Sequence, residues 1–225
     1  MNLRRFYIVS VAALAIQIVV AAWGLAQVGL DAQVPSHWNA AGEIDGYSPA
    51  WFAFLLIPAI TAGIVGLLAL IPRIEPRREN LRRSAGAYRT AGNAVILLMT
   101  MVQAGIVLAG TGRDVPMASL MGFGIGALFI VLGNVMTTVR SNFMFGVRTP
   151  WTLSSDRAWD RTHRFVGRVF VVGGLALMAV SLLGEPVAVF GVMLGFIGIA
   201  VVGGYVYSYR VWKTDPDRRP AGSGS

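Results

Sequence analysis

Six stretches of this chain contain no Asp, Glu, Lys or Arg: Phe6–Leu30, Trp51–Ile71, Thr90–Gly110, Pro116–Val139, Val169–Leu183 and Val187–Tyr209. A helix rises about 1.5 Å per residue, so about 20 apolar residues cross the roughly 30 Å hydrocarbon layer of a bilayer. Five of the runs reach that length, and Val169–Leu183 has only fifteen residues. It reaches full span by borrowing the turn before Val169, with Arg168 snorkelling to the interface. The fold class that follows is all-α: a polytopic membrane protein with a bundle of six transmembrane helices, pairing in sequence as three hairpins.

The connections alternate in charge. Arg4 and Arg5 precede the first run, and Asp31–Ala50 has no Lys or Arg. Pro72–Arg89 then holds Arg73, Arg77, Arg78, Arg82, Arg83 and Arg89, whereas the third connection has Arg113 alone. Arg140–Arg168 holds Arg140, Arg148, Arg157, Arg161, Arg164 and Arg168, the fifth connection has none, and the tail carries Arg210, Lys213, Arg218 and Arg219. Basic residues stay on the cytoplasmic side of an energised membrane. Both termini are therefore expected inside a bacterial cytoplasmic membrane, with the first, third and fifth connections outside.

Composition agrees with lipid as the main solvent, at 55% hydrophobic and 13% charged residues. The net charge of +8 is read as anchoring to anionic headgroups rather than as a nucleic-acid footprint. The chain has no cysteine, so disulfides and thiolate metal sites are excluded. A cleaved signal peptide is the rival reading of the first run, but the run is long for an h-region. Three regions are expected: 1–89, a first helical hairpin with its outer and basic inner loops; 90–210, four helices; and 211–225, a tail ending in the linker-like Pro220–Ser225. Polar residues at membrane depth, including Gln17, Gln27, Thr61, Asn93, Gln103 and Asn134, are neutral, which argues against ion-coupled transport. Asn134 is a candidate for bonding across helices, Pro58 for kinking the second helix, and glycines in the fourth and last helices for close packing.

Two connections carry the chemistry. The outer loop Val34–Tyr47 is turn-rich and holds His37, Trp38, Asn39, Glu43 and Asp45. Its aromatic and acidic groups suit a cationic external ligand. His37, Glu43 and Asp45 are also a candidate metal set, although their spacing matches no strict zinc motif and a fourth ligand is missing. Hydrogen bonds that shape the loop are the competing role. The inner connection packs Asn142, Arg148, Thr149, Pro150, Trp151, Thr152, Trp159, Thr162 and His163 together. Pro150 biases Thr149 away from helix, and Ser154 or Ser155 caps a following helix with Asp156 in its first turn. Arg157, Arg161, Arg164 and Arg168 fall on one stripe of that amphipathic elbow, and Asp160 is spaced to pair with Arg164. The connection serves either as a folded polar closure of the bundle or as a docking surface for a cytoplasmic protein.

The segment Gly133-Asn134, Asn142, Gly146-Val147-Arg148-Thr149-Pro150-Trp151-Thr152-Leu153, Trp159 and Thr162-His163-Arg164 resembles the C-terminal signature of the SdpI family of bacterial immunity proteins. Pro35-Ser36-His37-Trp38-Asn39 with Gly42 and Asp45-Gly46 is similar to the N-terminal domain of unknown function that often precedes it. The resemblance implies protection against a secreted antimicrobial peptide, with the outer loop meeting toxin. It further implies signalling in which a soluble repressor is held at the membrane, with Arg148, Trp151, Trp159 and His163 bearing on that step. No enzyme activity is expected, since there is no nucleophile–base pair or HExxH-like spacing; no cofactor and no direct nucleic-acid partner are expected either. Two other classes remain at this point. One is a transporter or channel for a small amphipathic compound; the other is a metal-dependent membrane enzyme built on the outer-loop set.

Overall fold

A computed structural model describes residues 3–218, so Arg219 and the linker-like Pro220–Ser225 lie outside the described residues. Helix α1 is Arg4–Val28, and a two-stranded antiparallel hairpin, β1 Gln33–Trp38 and β2 Ile44–Pro49, leads into α2 at Ala50–Ile74. A short α3, Arg78–Arg83, precedes α4, Ala85–Gly110, and α5 is Met117–Met136. The single turn α6, Pro150–Leu153, precedes α7, Asp156–Ser181. Finally α8, Pro186–Gly198, continues through a π-helical turn, Ile199–Gly203, into α9, Gly204–Lys213.

Among the described residues six helices are long and apolar enough to cross a membrane: α1, α2, α4, α5, α7 and the continuous Pro186–Lys213. The protein is a multi-pass helical membrane protein. Val11, Val19 and Val172 are 67%, 68% and 67% exposed, as lipid-facing side chains are and as a water-soluble surface would not tolerate in such number. The short fifth run is completed as expected, because the amphipathic elbow and the apolar run form one 26-residue helix, α7.

Helices adjacent in sequence do pack in pairs, but the largest interface joins α5 to α7, across two of the expected hairpins. It is built on glycine. A side-chain carbon on Gly126 would lie 2.7 Å from the Gly174 carbonyl, and one on Gly133 would lie 2.5 Å from that of Gly167. The two glycines are seven residues apart on each helix, so an antiparallel pair meets twice, two turns apart. Gly195 and Gly198, also expected to pack, have open space beside them.

Two prolines interrupt α2 without ending it. Each lacks an N–H, so the carbonyl four residues earlier loses its helical donor. Both orphans are met from α4: Gln103 Nε2 donates to the Phe54 carbonyl at 2.8 Å, and the Tyr88 hydroxyl donates to the Leu68 carbonyl at 2.6 Å. In hydrocarbon no water is at hand to do this, so neighbouring side chains take the role.

The last helix needs its π turn. Phe196, Ala200, Gly204 and Ser208 are all buried at steps of four. Over twelve residues a regular α-helix would rotate such a series about 120° off one face. One inserted residue at the π turn removes most of that drift. Ser208 thereby reaches Thr149, whose hydroxyl donates to it at 3.0 Å.

Candidate functional site

The arginine-rich connections gather at one end of the bundle and the β-hairpin at the other. At the hairpin end the chain is strand rather than irregular turn, with the register shifting between Pro35 and Trp38. The Asn39 side chain closes the tip. Its Oδ1 accepts from the Ala41 and Glu43 backbone N–H groups, and its Nδ2 donates to Glu43 at 3.0 Å. His37 Nδ1 pairs with Asp45 at 2.5 Å, their side chains 71% and 43% exposed. Trp38 turns inward, lining a small apolar pocket of about 190 Å³ with Met117, Met121, Phe190 and Met193. Gly42 lies close over Pro186 and Ala118 with φ 80°, a turn that only glycine adopts freely. The candidate metal set is not brought together: Glu43 is held by Asn39 and away from the His37–Asp45 pair, and no cluster of three His, Asp or Glu exists among the described residues.

At the arginine end the picture reverses. Asn142, fully buried, uses its whole amide: Nδ2 donates to the Arg140 and Phe145 carbonyls, and Oδ1 accepts from Met144 and Phe145 N–H. Thr149 is extended, as Pro150 requires, and forms a capping box with Thr152 over α6. Ser155, not Ser154, caps α7 by accepting from the Ala158 N–H. Trp159 donates its indole N–H to the Val139 carbonyl at 2.7 Å and stacks on His163 with ring centroids 4.1 Å apart. His163 Nε2 accepts from the Val147 N–H at 3.0 Å, which leaves Nδ1 to carry the proton donated to the Trp159 carbonyl. Gly146 lies so near that a side chain there would meet His163 Nε2 at 2.5 Å, and its φ is 116°.

Most of the inner signature is therefore interior. Of the nine candidate residues in the inner connection, Asn142, Thr152, Trp159, Thr162 and His163 are essentially inaccessible, and only Arg148, Pro150 and part of Trp151 reach the surface. Trp151 packs against Tyr205 and Tyr209 of α9. Two expected pairings do not form. Asn134 bonds to the Ile130 carbonyl of its own helix, and Arg164 contacts the backbone carbonyl of Asp160 rather than its carboxylate.

Sequence reasoning missed the residues that tie this end together. Glu75, fully buried at the end of α2, accepts from the N–H groups of Arg77 and Phe143. Arg77 reaches Ser141 and the Leu153 carbonyl and lies over the Phe143 ring. Asn80 donates to the Ser141 carbonyl, and the tail returns through Ser155, which bonds to buried Asp215. The one available signal was a lone Glu75 beside Pro76 at the end of a membrane run. Between α3, α6 and the tail, Arg77, Asn80, Arg157, Asp215 and Asp217 line an open polar cleft of about 640 Å³.

Residues 138–208 match the SdpI/YfhL protein family, and residues 12–62 match a domain of unknown function, DUF1648. The first match covers the buried inner connection and most of α7 to α9; the second covers the hairpin. Among curated proteins the chain is similar to the protein named immunity protein SdpI of Bacillus subtilis (strain 168). The two are 25% identical over 185 residues, 82% of this chain and 86% of that relative. No solved structure matches.

Proposed function

From a chain that carries the SdpI/YfhL family segment together with its DUF1648 partner, we propose a membrane immunity protein that protects its cell from a secreted antimicrobial peptide. Both termini lie in the cytoplasm in this reading, and the hairpin faces outward. The observation that carries it is the hairpin itself, an ordered exposed element seated over the bundle end. His37, Glu43 and Asp45 point polar groups to solvent there while Trp38 roofs the methionine-lined pocket. Asp31, Asp114 and Glu185 add acid at the same end, which favours a cationic peptide. Methionine side chains adapt to varied apolar partners.

Signalling to a cytoplasmic repressor belongs to the same proposal, with its contact moved. The buried signature residues hold the loop in shape, and the accessible polar groups are those of the cleft at Arg77, Asn80 and Arg157. Arg148 is a further exposed cation, outside that cleft, with its guanidinium donating to the Phe143 carbonyl at 2.6 Å.

The test is survival. Bacillus subtilis cells deleted for their own SdpI and expressing this chain should withstand the toxin-producing parent. A chain whose residues 33–49 are exchanged for a Gly-Ser linker should not. Killing of cells with the intact chain at the rate of the deletion strain contradicts the function. Protection by the linker variant contradicts recognition at the hairpin.

A further inference from the structure

On the opposite flank of α7 from the buried signature, Arg161, Arg164 and Arg168 share a cleft of about 320 Å³ with Phe165 and Tyr207. The three arginines follow i, i+3, i+7, so their guanidinium groups converge on one helix face. All are exposed. Among the described residues no ion pair joins any of these three guanidinium groups to a carboxylate, whereas Arg82 and Arg83 pair with Glu79. Asp160 is near enough to pair, yet Arg164 takes its backbone carbonyl at 3.4 Å instead. Phe165 and Tyr207 stack at one side of the cleft, centroids 5.1 Å apart. Phe165 also abuts Gly203, the last residue of the π turn.

Depth selects the ligand. Arg168 immediately precedes the apolar run Val169–Leu183, so the cleft opens where headgroups meet hydrocarbon. Guanidinium forks suit phosphate oxygens, and a tyrosine hydroxyl adds a donor at the same level. We propose that Arg161, Arg164, Arg168 and Tyr207 form a site for the phosphate headgroup of one anionic phospholipid. The site clamps α7 to α9 from the lipid side. It differs from diffuse anchoring in its one-to-one stoichiometry and in its dependence on these three arginines rather than on any three.

The experiment uses the full chain in nanodiscs of phosphatidylglycerol and phosphatidylcholine, followed by gentle detergent release and native mass spectrometry. The wild type should retain one phosphatidylglycerol and no phosphatidylcholine. The triple variant R161Q/R164Q/R168Q should bind it roughly 100-fold more weakly, from three basic contacts at the membrane surface. R82Q/R83Q, which removes two arginines already paired with Glu79, should retain it. Equal retention of both lipids by the wild type overturns the proposal and needs no variant to fold. Equal loss in the two variants, displacement of the lipid by millimolar inorganic phosphate, or displacement by a soluble acidic peptide also overturns it.

Discussion

At the arginine end, polar side chains are buried, and Glu75, Thr149 and Trp159 among them bond across long sequence separations; at the hairpin end they are exposed and bond to near neighbours. Asn142, Thr149, Thr152, Trp159 and His163 hold one loop inside the protein, and Glu75 joins it to α2 through Phe143, 68 residues away. His37 pairs with Asp45 eight residues on, and Asn39 with Glu43 four residues on. Both regions look equally rich in chemistry as sequence. Burial separates them, because a buried polar group is expensive to leave unpaired while an exposed one exchanges its partner for water at little loss. The buried end is scaffold, and the exposed end has groups to offer a ligand.

The contrast breaks most easily at Asn142. Asn142→Ala leaves the Arg140 and Phe145 carbonyls and the Met144 and Phe145 N–H groups without their partner. We expect destabilisation by about 3 kcal/mol or more, read by thermal unfolding in detergent. Glu75→Gln removes a buried charged acceptor and should cost about 2 kcal/mol. An unchanged melting temperature in either variant would remove the scaffold from the arginine end. Gln103→Leu exposes the Phe54 carbonyl released by Pro58 and should cost about 1 kcal/mol. In a Pro58→Ala background, where the helix supplies its own donor, that cost should shrink; an undiminished cost would show that the two residues are not coupled. His37→Ala should change stability by less than about 0.5 kcal/mol, because the pair is exposed. The same substitution should lower survival against toxin. A large stability loss there, or full protection, would erase the difference between the two ends.

Much of this was legible in the chain. The six spans, the continuous elbow helix and its cap near Ser155 follow from run length, charge and capping chemistry, which are local. The hairpin was read as turns because Pro35, Gly42 and Gly46 obscure any strict alternation, and its strands are secured mainly by pairing with each other. Asn134 was expected to bridge helices, but its own helix offers the Ile130 carbonyl at 2.9 Å. The glycines of α5 were noted, while their partners Gly167 and Gly174 became visible only once α7 was set antiparallel beside them. Glu75, Arg77 and Asp215 were not anticipated, because what makes them structural is a partner at least 60 residues away.

Orientation underlies the whole account, and the absence of cysteine makes it directly measurable. Single cysteines at Tyr47, in the exposed hairpin, and at Arg157, in the polar cleft, are treated in intact cells with a membrane-impermeant maleimide. The account predicts strong labelling of Y47C and labelling of R157C only after the cells are broken. Labelling of R157C in intact cells with Y47C protected would turn the recognition end inward and contradict it.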